Sequence, residues 1–321
     1  MANMSNTLKE VSGRTKVLIT GGAGFIGSNT ADLLIENGHD VVIVDDLSTG
    51  SKHNINPKAA FYKCDITSLL LIDVFRKEKP SIVLHTAAQV RVRASAEDPL
   101  SDAKTNVLGT LNVLECCRDS GVKKIIYSSS GGAGYGEPQS IPCKEDHPIR
   151  PISHYGASKL SAELFFPVYK STYGLDFTIL RYANVYGSRQ DAKGEAGVVA
   201  IFLDKITQDS RPSIFGDGEQ SRDFVFVADV ARANLLAVQR PALNAAVNIG
   251  TGKETTVNQI FSFIKKATGT KLAPTHAVKV AGEVFRITLD PSMAKRLLGW
   301  SPRVSIEEGI GLTAEWFRKK E

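Results

Sequence analysis

Tyr155 and Lys159 stand four residues apart in the run Tyr155-Gly-Ala-Ser-Lys159. On a helix, positions i and i+4 share a face, so the phenol and the ammonium project together. A free tyrosine titrates near ~10. A neighbouring cation favours the phenolate and lowers that value. The chemistry on offer is general-base removal of a hydroxyl proton near neutral pH. The alternative is an ordinary surface pair, because the spacing is common. Ser128, Ser129 and Ser130 follow the apolar run KKIIYS, which begins at Lys123. A hydroxyl at the C-terminal end of a strand can bond a reacting oxygen and relay its proton, and that edge is where open α/β sheets take ligands. Otherwise the triplet is a polar turn.

A second group of residues suits a dinucleotide. Thr20–Gly27 reads TGGAGFIG, directly after an apolar run and before a helical pattern. Gly22, Gly24 and Gly27 fit G-x-G-x-x-G, and Gly21, Gly24 and Gly27 fit G-x-x-G-x-x-G. Such glycines allow a tight turn and close approach of pyrophosphate to the backbone, with the helix N-terminus aimed at its charge. Asp45 and Asp46 end the next strand, roughly 20 residues on, where a carboxylate meets the adenosine ribose. A carboxylate there repels a 2′-phosphate, which selects NAD over NADP. Asp45 is the better placed, and Asp46 could instead cap a turn. Asp65 could bond the adenine amine or cap a helix. A nicotinamide ring, being positive when oxidised, would further favour a Tyr155 phenolate.

The elements that must position these residues alternate. KVLIT (16–20) reads as a strand, then a helix spans 25–37. DVVIV (40–44) is a strand, as is 60–63, followed by a helix at 68–79 and the strand SIVLH (81–85). A helical segment runs from about Pro99 to Ser120. The strand at 123–128 follows, then helix over Tyr155–Tyr173 and the strand DFTILR (176–181). Continuous apolar strands between amphipathic helices predict an α/β, doubly wound parallel sheet covered on both faces. After Arg181 the segments shorten and gain Gly, Pro and Asp, as in RPSIFGDG (211–218). A smaller C-terminal substrate lobe is expected there. AVNI (246–249) returns to the main sheet. The division expected is 15–181 plus about 227–250 for the dinucleotide domain, about 182–226 and 251–321 for the lobe, and 1–14 as a leader.

Composition narrows the class. With 42% hydrophobic and 23% charged residues, the chain is ordinary globular protein. The net charge of +5 comes from scattered residues, which argues against nucleic acid as a partner. No apolar run reaches membrane-spanning length, and none at the N-terminus reads as a signal peptide. Cys64, Cys116, Cys117 and Cys143 form no CxxC pair, so neither zinc nor dithiol chemistry is indicated, and a reduced cytoplasmic setting fits.

Read together, these stretches resemble the extended short-chain dehydrogenase/reductase family, and within it the UDP-glucose 4-epimerase-like group. The resemblance covers Lys16 to Trp300. It rests on TGGAGFIGS (20–28), DDLSTG (45–50), HTAAQ (85–89), NVLGTLNVLE (106–115), YSSSGGAGYGE (127–137), YGASK (155–159), RYANVYG (181–187), GDGEQSRDFVFVADVA (216–231), NIGTG (248–252) and LGWSP (298–302).

The resemblance implies that Tyr155 is the base, that Lys159 lowers its pKa and holds the nicotinamide ribose, and that Ser130 assists. It implies NAD held by Gly21, Gly24, Phe25, Ile26, Gly27, Asp45, Asp46 and Ser48, with Asp65, Ile66, Ala87, Ala88, Asn106 and Ser128 nearby. Asn184 and Arg222 should face a nucleotide diphosphate, Val198 and Phe215 the uracil, and Ile287 the sugar 2-substituent. The implied reaction is inversion at C4 of a UDP-hexose through a transient 4-ketone, N-acetylated forms included. The sibling readings are a dehydratase, a uronate epimerase or a decarboxylase. A non-catalytic NAD(H) sensor belongs to a different class. It is disfavoured because a sensor needs no base.

Two departures from the family pattern stand out. Dehydratases of this group carry Thr-Asp-Glu where this chain has Ser130-Gly131-Gly132, so an acid and base for elimination are missing. Many epimerases carry an arginine two residues before a Gly-Asp or Gly-Glu pair. Here Val280-Ala281 precedes Gly282-Glu283, leaving Lys279 or Arg286 as substitutes. Relatives dimerise through a four-helix bundle, which implies a homodimer through the 99–120 and 155–173 helices. His85 is expected to be structural, Arg91 and Arg93 to be phosphate contacts or solvated loop charges, Trp300 to pack in the lobe, and Cys116 and Cys117 to pack.

Overall fold

The first half of the chain builds β1 (Lys16–Thr20), β2 (Asp40–Asp45), β3 (Ala60–Lys63), β4 (Ile82–His85), β5 (Lys124–Ser130) and β6 (Asp176–Tyr182). Short strands follow: β7 (Asn184–Tyr186), β8 (Ser213–Phe215), β9 (Ser221–Arg222), β10 (Phe224–Phe226), β11 (Ala246–Ile249), β12 (Thr255–Thr256), β13 (Thr275–Ala277) and β14 (Arg286–Ile287). The computed structural model describes residues 13–192, 197–278 and 284–319. The expected leader at 1–14 therefore lies almost wholly outside the described residues, as do Lys279, Val280, Ala281, Gly282 and Glu283.

A seven-stranded sheet runs in the order β11-β6-β5-β4-β1-β2-β3, with every pairing parallel. The central strands are largely apolar because helices cover both faces, and β4 is buried at every position, whereas the edge strand β3 is partly exposed. This is the expected doubly wound, Rossmann-like sheet. From β1 the chain winds one way through β2 and β3, then returns to place β4 on the other side. That reversal separates the loops after β1 and β4 and opens a crevice at their C-terminal ends.

The helices are α1 (Phe25–Glu36), α2 (Leu71–Glu78), α3 (Val92–Glu97), α4 (Pro99–Ala103), α5 (Gly109–Asp119), α6 (Gly131–Gly134), α7 (His154–Glu163) and α8 (Phe165–Tyr173). After them come α9 (Val198–Thr207), α10 (Val227–Gln239), α11 (Val257–Thr268), α12 (Ser292–Leu298) and α13 (Ile306–Lys319). One apolar cluster joins the sheet to α1, α10 and α12. A second joins its other face to α2, α5 and α8, and buries Cys116 and Cys117 as packing residues. A third lies apart, among α9, α11, α13 and the short strands.

Four local readings are corrected. The segment from Pro99 to Ser120 is not one regular helix, because a π-helical turn at Lys104–Leu108 separates α4 from α5. The segment 155–173 breaks at Leu164: Pro167 would press its ring on the Glu163 carbonyl in a continuous helix, so α7 ends there. The loop around Arg91 and Arg93 contains helix α3. Trp300 is fully buried in the cluster that contains the main sheet, with its indole N–H donated to the Asp229 carbonyl on α10, not within the separate cluster.

Candidate active site

The crevice at the β1/β4 switch point is built from backbone on one side. Gly21 has φ +70°, and a Cβ there would lie 2.7 Å from the Ala87 nitrogen. Only glycine lets the β4–α3 loop come this close. A Cβ on Gly27 would sit 2.3 Å from the Gly21 carbonyl, so α1 can leave the turn only with glycine there. Gly24 is the N-cap of α1 and contributes no side-chain cap. The amides of Phe25, Ile26 and Gly27 thus form a helix start suited to an anion.

Asp45 ends β2 and is 7% exposed. Its carboxylate accepts from the Ala23 amide at 3.0 Å and the Leu47 amide at 2.8 Å. Burial pushes its carboxyl above the usual range, while these two amides oppose the rise. Asp46 instead accepts from the Ser48 amide (2.9 Å) and hydroxyl (2.7 Å), so it caps a turn and occupies Ser48. Asp65 accepts from the Thr67 amide at 2.7 Å, also as a turn cap. Ile66 is buried against Gly109. Ala87 and Ala88 are half-buried after β4.

Tyr155 opens α7. The Ser153 hydroxyl caps that helix at the Gly156 amide (3.1 Å), and the Ser95 hydroxyl on α3 accepts from the Tyr155 amide (3.1 Å). Of the three serines on β5, Ser128 is bonded to the Tyr182 hydroxyl at 3.0 Å, and Ser129 donates to Glu163 at 2.5 Å. Both are buried. Ser130 is half-buried, accepts from the Ala133 amide at 3.2 Å, and hydrogen-bonds the Tyr155 phenol, favouring its ionised form. The serines lie in β5 itself and not in a following turn, and Ser130 is the one turned to Tyr155.

Electrostatics in the site run against the simple pair argument. Burial pushes Tyr155 up to about 12, Ser130 pulls it back, and Asp102 adds to the rise. Burial drags Lys159 down to about 7, opposed by Glu163 and Asp102. Lys159 Nζ stands 4.2 Å from the centre of the Tyr127 ring. The spacing alone predicts a lowered Tyr155; desolvation of both partners overrides that. His85 is structural: its ring nitrogens bond the Thr20 hydroxyl (2.7 Å) and the Thr110 hydroxyl (3.0 Å), and burial holds it neutral, down to about 3.

Asn106 lies in the π-helical turn. Its side chain accepts from the Gln89 amide and donates to the Gln89 carbonyl, Asp102 and Ser158 at 2.9–3.1 Å. It fastens the β4–α3 loop to α7, and its amide is spent on the protein. Gln89 Nε2 also donates to Asp102 at 2.8 Å. Gln89 and Asp102 were not among the expected site residues. Gln89 stood inside the HTAAQ stretch, but nothing local marks Asp102.

Across the crevice, Asn184 Oδ1 is buried and has no hydrogen-bond partner. It lies 3.1 Å from where a Gly132 Cβ would stand, so the glycine two residues after Ser130 keeps this space open. Arg222 pairs with Ile287 in register and donates Nη1 to the Ser221 and Phe285 carbonyls. Phe215 is 41% exposed, with the Arg93 guanidinium 5.8 Å from its ring centre. Val198 is half-buried at the first turn of α9. Ile287 is buried in the first apolar cluster. Arg286 forks onto Glu254 at 2.6 and 2.9 Å.

A glycine turn before an uncapped helix, an acid ending β2, and a hydroxyl, phenol and ammonium converging at the same sheet edge can bind a dinucleotide and move a proton. Comparison with known proteins agrees. Residues 17–250 match the model of the NAD dependent epimerase/dehydratase family. A putative UDP-glucose 4-epimerase of Methanocaldococcus jannaschii is 50% identical over 302 residues, covering 94% of this chain and 98% of that protein. The crystal structure of a UDP-glucose 4-epimerase from Thermotoga maritima with UDP-glucose superposes with a TM-score of 0.93 at 48% identity, covering 95% of this chain and 99% of that one. A UDP-glucose 4-epimerase from Thermus thermophilus in complex with NAD gives 0.89 at 40% identity, covering 94% and 99%.

Proposed function

The chain belongs to the NAD dependent epimerase/dehydratase family, and from that premise we propose that its crevice inverts the configuration at C4 of a UDP-hexose. The observation that carries this reading is the Ser130 hydroxyl on the Tyr155 phenol at the C-terminal end of β5, with the Lys159 ammonium over the ring of Tyr127 on the same strand.

The residues present fit NAD. Phe25, Ile26 and Gly27 at the uncapped start of α1 suit its pyrophosphate, and Asp45 suits the adenosine ribose. Lys159 would meet the nicotinamide ribose. When bound, NAD supplies a reversible hydride acceptor. The chain's own residues do the rest. Tyr155 takes the proton from the sugar 4-hydroxyl, and the Ser130 hydroxyl bonds the same oxygen as its charge develops. Loss of the C4 hydrogen leaves a ketone. Arg222 binds the diphosphate through its planar guanidinium, and the buried Asn184 Oδ1 accepts a donor from the ligand. Held by the nucleotide, the ketone presents its other face, the hydrogen returns to C4, and Tyr155 gives the proton back.

Gly131 and Gly132 open α6 after Ser130 and bring no acid to the sugar, which favours inversion over elimination. Phe215 and Val198 are assigned to the uracil and Ile287 to the sugar 2-substituent. The division at about residues 182–226 and 251–321 is part of this reading, with the separate apolar cluster as its core. The chain is proposed to be a homodimer, since Leu100, Leu108, Leu164, Val168 and Tyr173 lie more than half exposed on the segments expected to pair. No helix among the described residues is long and apolar enough to cross a membrane. The four free thiols suit the cytoplasm, with galactose metabolism as the setting.

The test is proton NMR of the anomeric signals of UDP-galactose with purified protein. Appearance of UDP-glucose supports the reading. A stable keto sugar or release of carbon dioxide points instead to a sibling enzyme, and no change after NAD is supplied contradicts the reading.

A further inference from the structure

Asp102, on α4, is 1% exposed and forms no ion pair among the described residues. One of its oxygens, Oδ1, accepts from Gln89 Nε2 (2.8 Å) and Asn106 Nδ2 (3.1 Å). The other, Oδ2, is buried with no partner. An asparagine would serve both donors through its own oxygen and spare the cost of burying a charge. The hydrogen bonds therefore do not explain why an acid rather than an amide stands here.

The charge has a nearby use. Lys159 lies on α7, against which α4 packs. The groups that face Lys159 are few. Tyr155 and Glu163 share its helix, Tyr127 on β5 lies under its ammonium, His85 on β4 is neutral, and Asp102 looks on from α4. Glu163 is already matched: Arg181 holds both its oxygens, at 2.6–3.2 Å, and Ser129 donates to it. Asp102 is the carboxylate of this set that forms no ion pair among the described residues and leaves one oxygen without a partner.

We propose that Asp102 is a positioning residue for the reaction, holding the buried Lys159 as an ammonium ion through space and thereby setting the pH range in which the Tyr155–Lys159 pair works. The proposal rests on the reading of Tyr155 as the base. Its sign is fixed by charge. A negative Asp102 favours the protonated form of both, the ammonium of Lys159 and the neutral phenol of Tyr155, and so raises both titrations. Neutralising it lowers both, so the acid and basic limbs of activity move together toward lower pH.

The experiment is the pH profile of kcat/KM for UDP-galactose epimerisation in the wild type, Asp102→Asn and Asp102→Glu, with thermal melting of each. Asp102→Asn keeps an oxygen for Gln89 and Asn106. Its profile is expected to be displaced toward lower pH by about 1 unit. Asp102→Glu restores the charge and is expected to return the profile to the wild-type position, even at reduced amplitude. Should Asp102→Asn be too unstable to assay, Asp102→Ser makes the same charge change in less volume. A neutral variant with lower activity but limbs that coincide with the wild type overturns the proposal and leaves a structural role. Absence of epimerisation in the wild type overturns the underlying reading instead.

Discussion

At the scale of the residue, the site is a balance between burial and charge. Tyr155 is raised by desolvation and eased by Ser130, so the two hydroxyls are unequal in what their loss should do. Tyr155→Phe removes the base and is expected to lower kcat by ~10²–10⁴-fold with little change in melting temperature. Ser130→Ala should cost less, about 10–100-fold, because the phenol remains. Steady-state kinetics beside thermal melts separates these from unfolding. The sequence marked Tyr155, Lys159 and the glycines because their chemistry depends on local spacing. Spacing alone does not tell Ser130 from Ser128, because both lie on one face of the same strand by alternation; the resemblance singled out Ser130. What distinguishes them is Tyr182, which engages Ser128 from a neighbouring strand. Nor could spacing show Asn106 turned inward, or Asp102 at all, since those roles depend on partners from other elements.

At the scale of the element, β5 is the strand that delivers Ser130, and its other end is anchored by an unusual lysine. Lys124 is buried and donates to the carbonyls of Ala237, Val238 and Arg240, at 2.7–2.9 Å, where α10 ends. It caps the last turn of a helix more than a hundred residues away, which no local pattern announces. Lys124→Met keeps much of the apolar stem but leaves these carbonyls unpaired. Urea unfolding should show a loss of about 2–4 kcal/mol, from a charged bond and unsatisfied acceptors. An unchanged midpoint would mean that water satisfies the carbonyls equally well. The strand and helix order was legible because buried parallel strands are apolar throughout. The helix breaks were less so: a π turn has no residue signature, whereas Pro167 does mark the break that falls at Leu164.

At the scale of the molecule, the sheet reversal makes the crevice, and the segments after Arg181 carry Asn184, Phe215 and Arg222, which are proposed to face it. Their elements are short, so hydrophobic periodicity said little about them. The exposed apolar residues on α4–α5 and α7–α8 predict self-association. Sedimentation should give a dimer, and Leu164→Glu combined with Val168→Glu should give a folded monomer; a wild-type monomer at micromolar concentration would contradict the homodimer. The central claim is that the C4 hydrogen leaves and returns within one site while Tyr155 handles the proton. It is tested most directly with UDP-galactose carrying deuterium at C4, incubated in ordinary water and followed by NMR and mass spectrometry. The account predicts UDP-glucose with the deuterium still at C4, and none formed by Tyr155→Phe above the trace that its lowered kcat allows. Product that has exchanged its label with solvent, or full turnover by Tyr155→Phe, would contradict it.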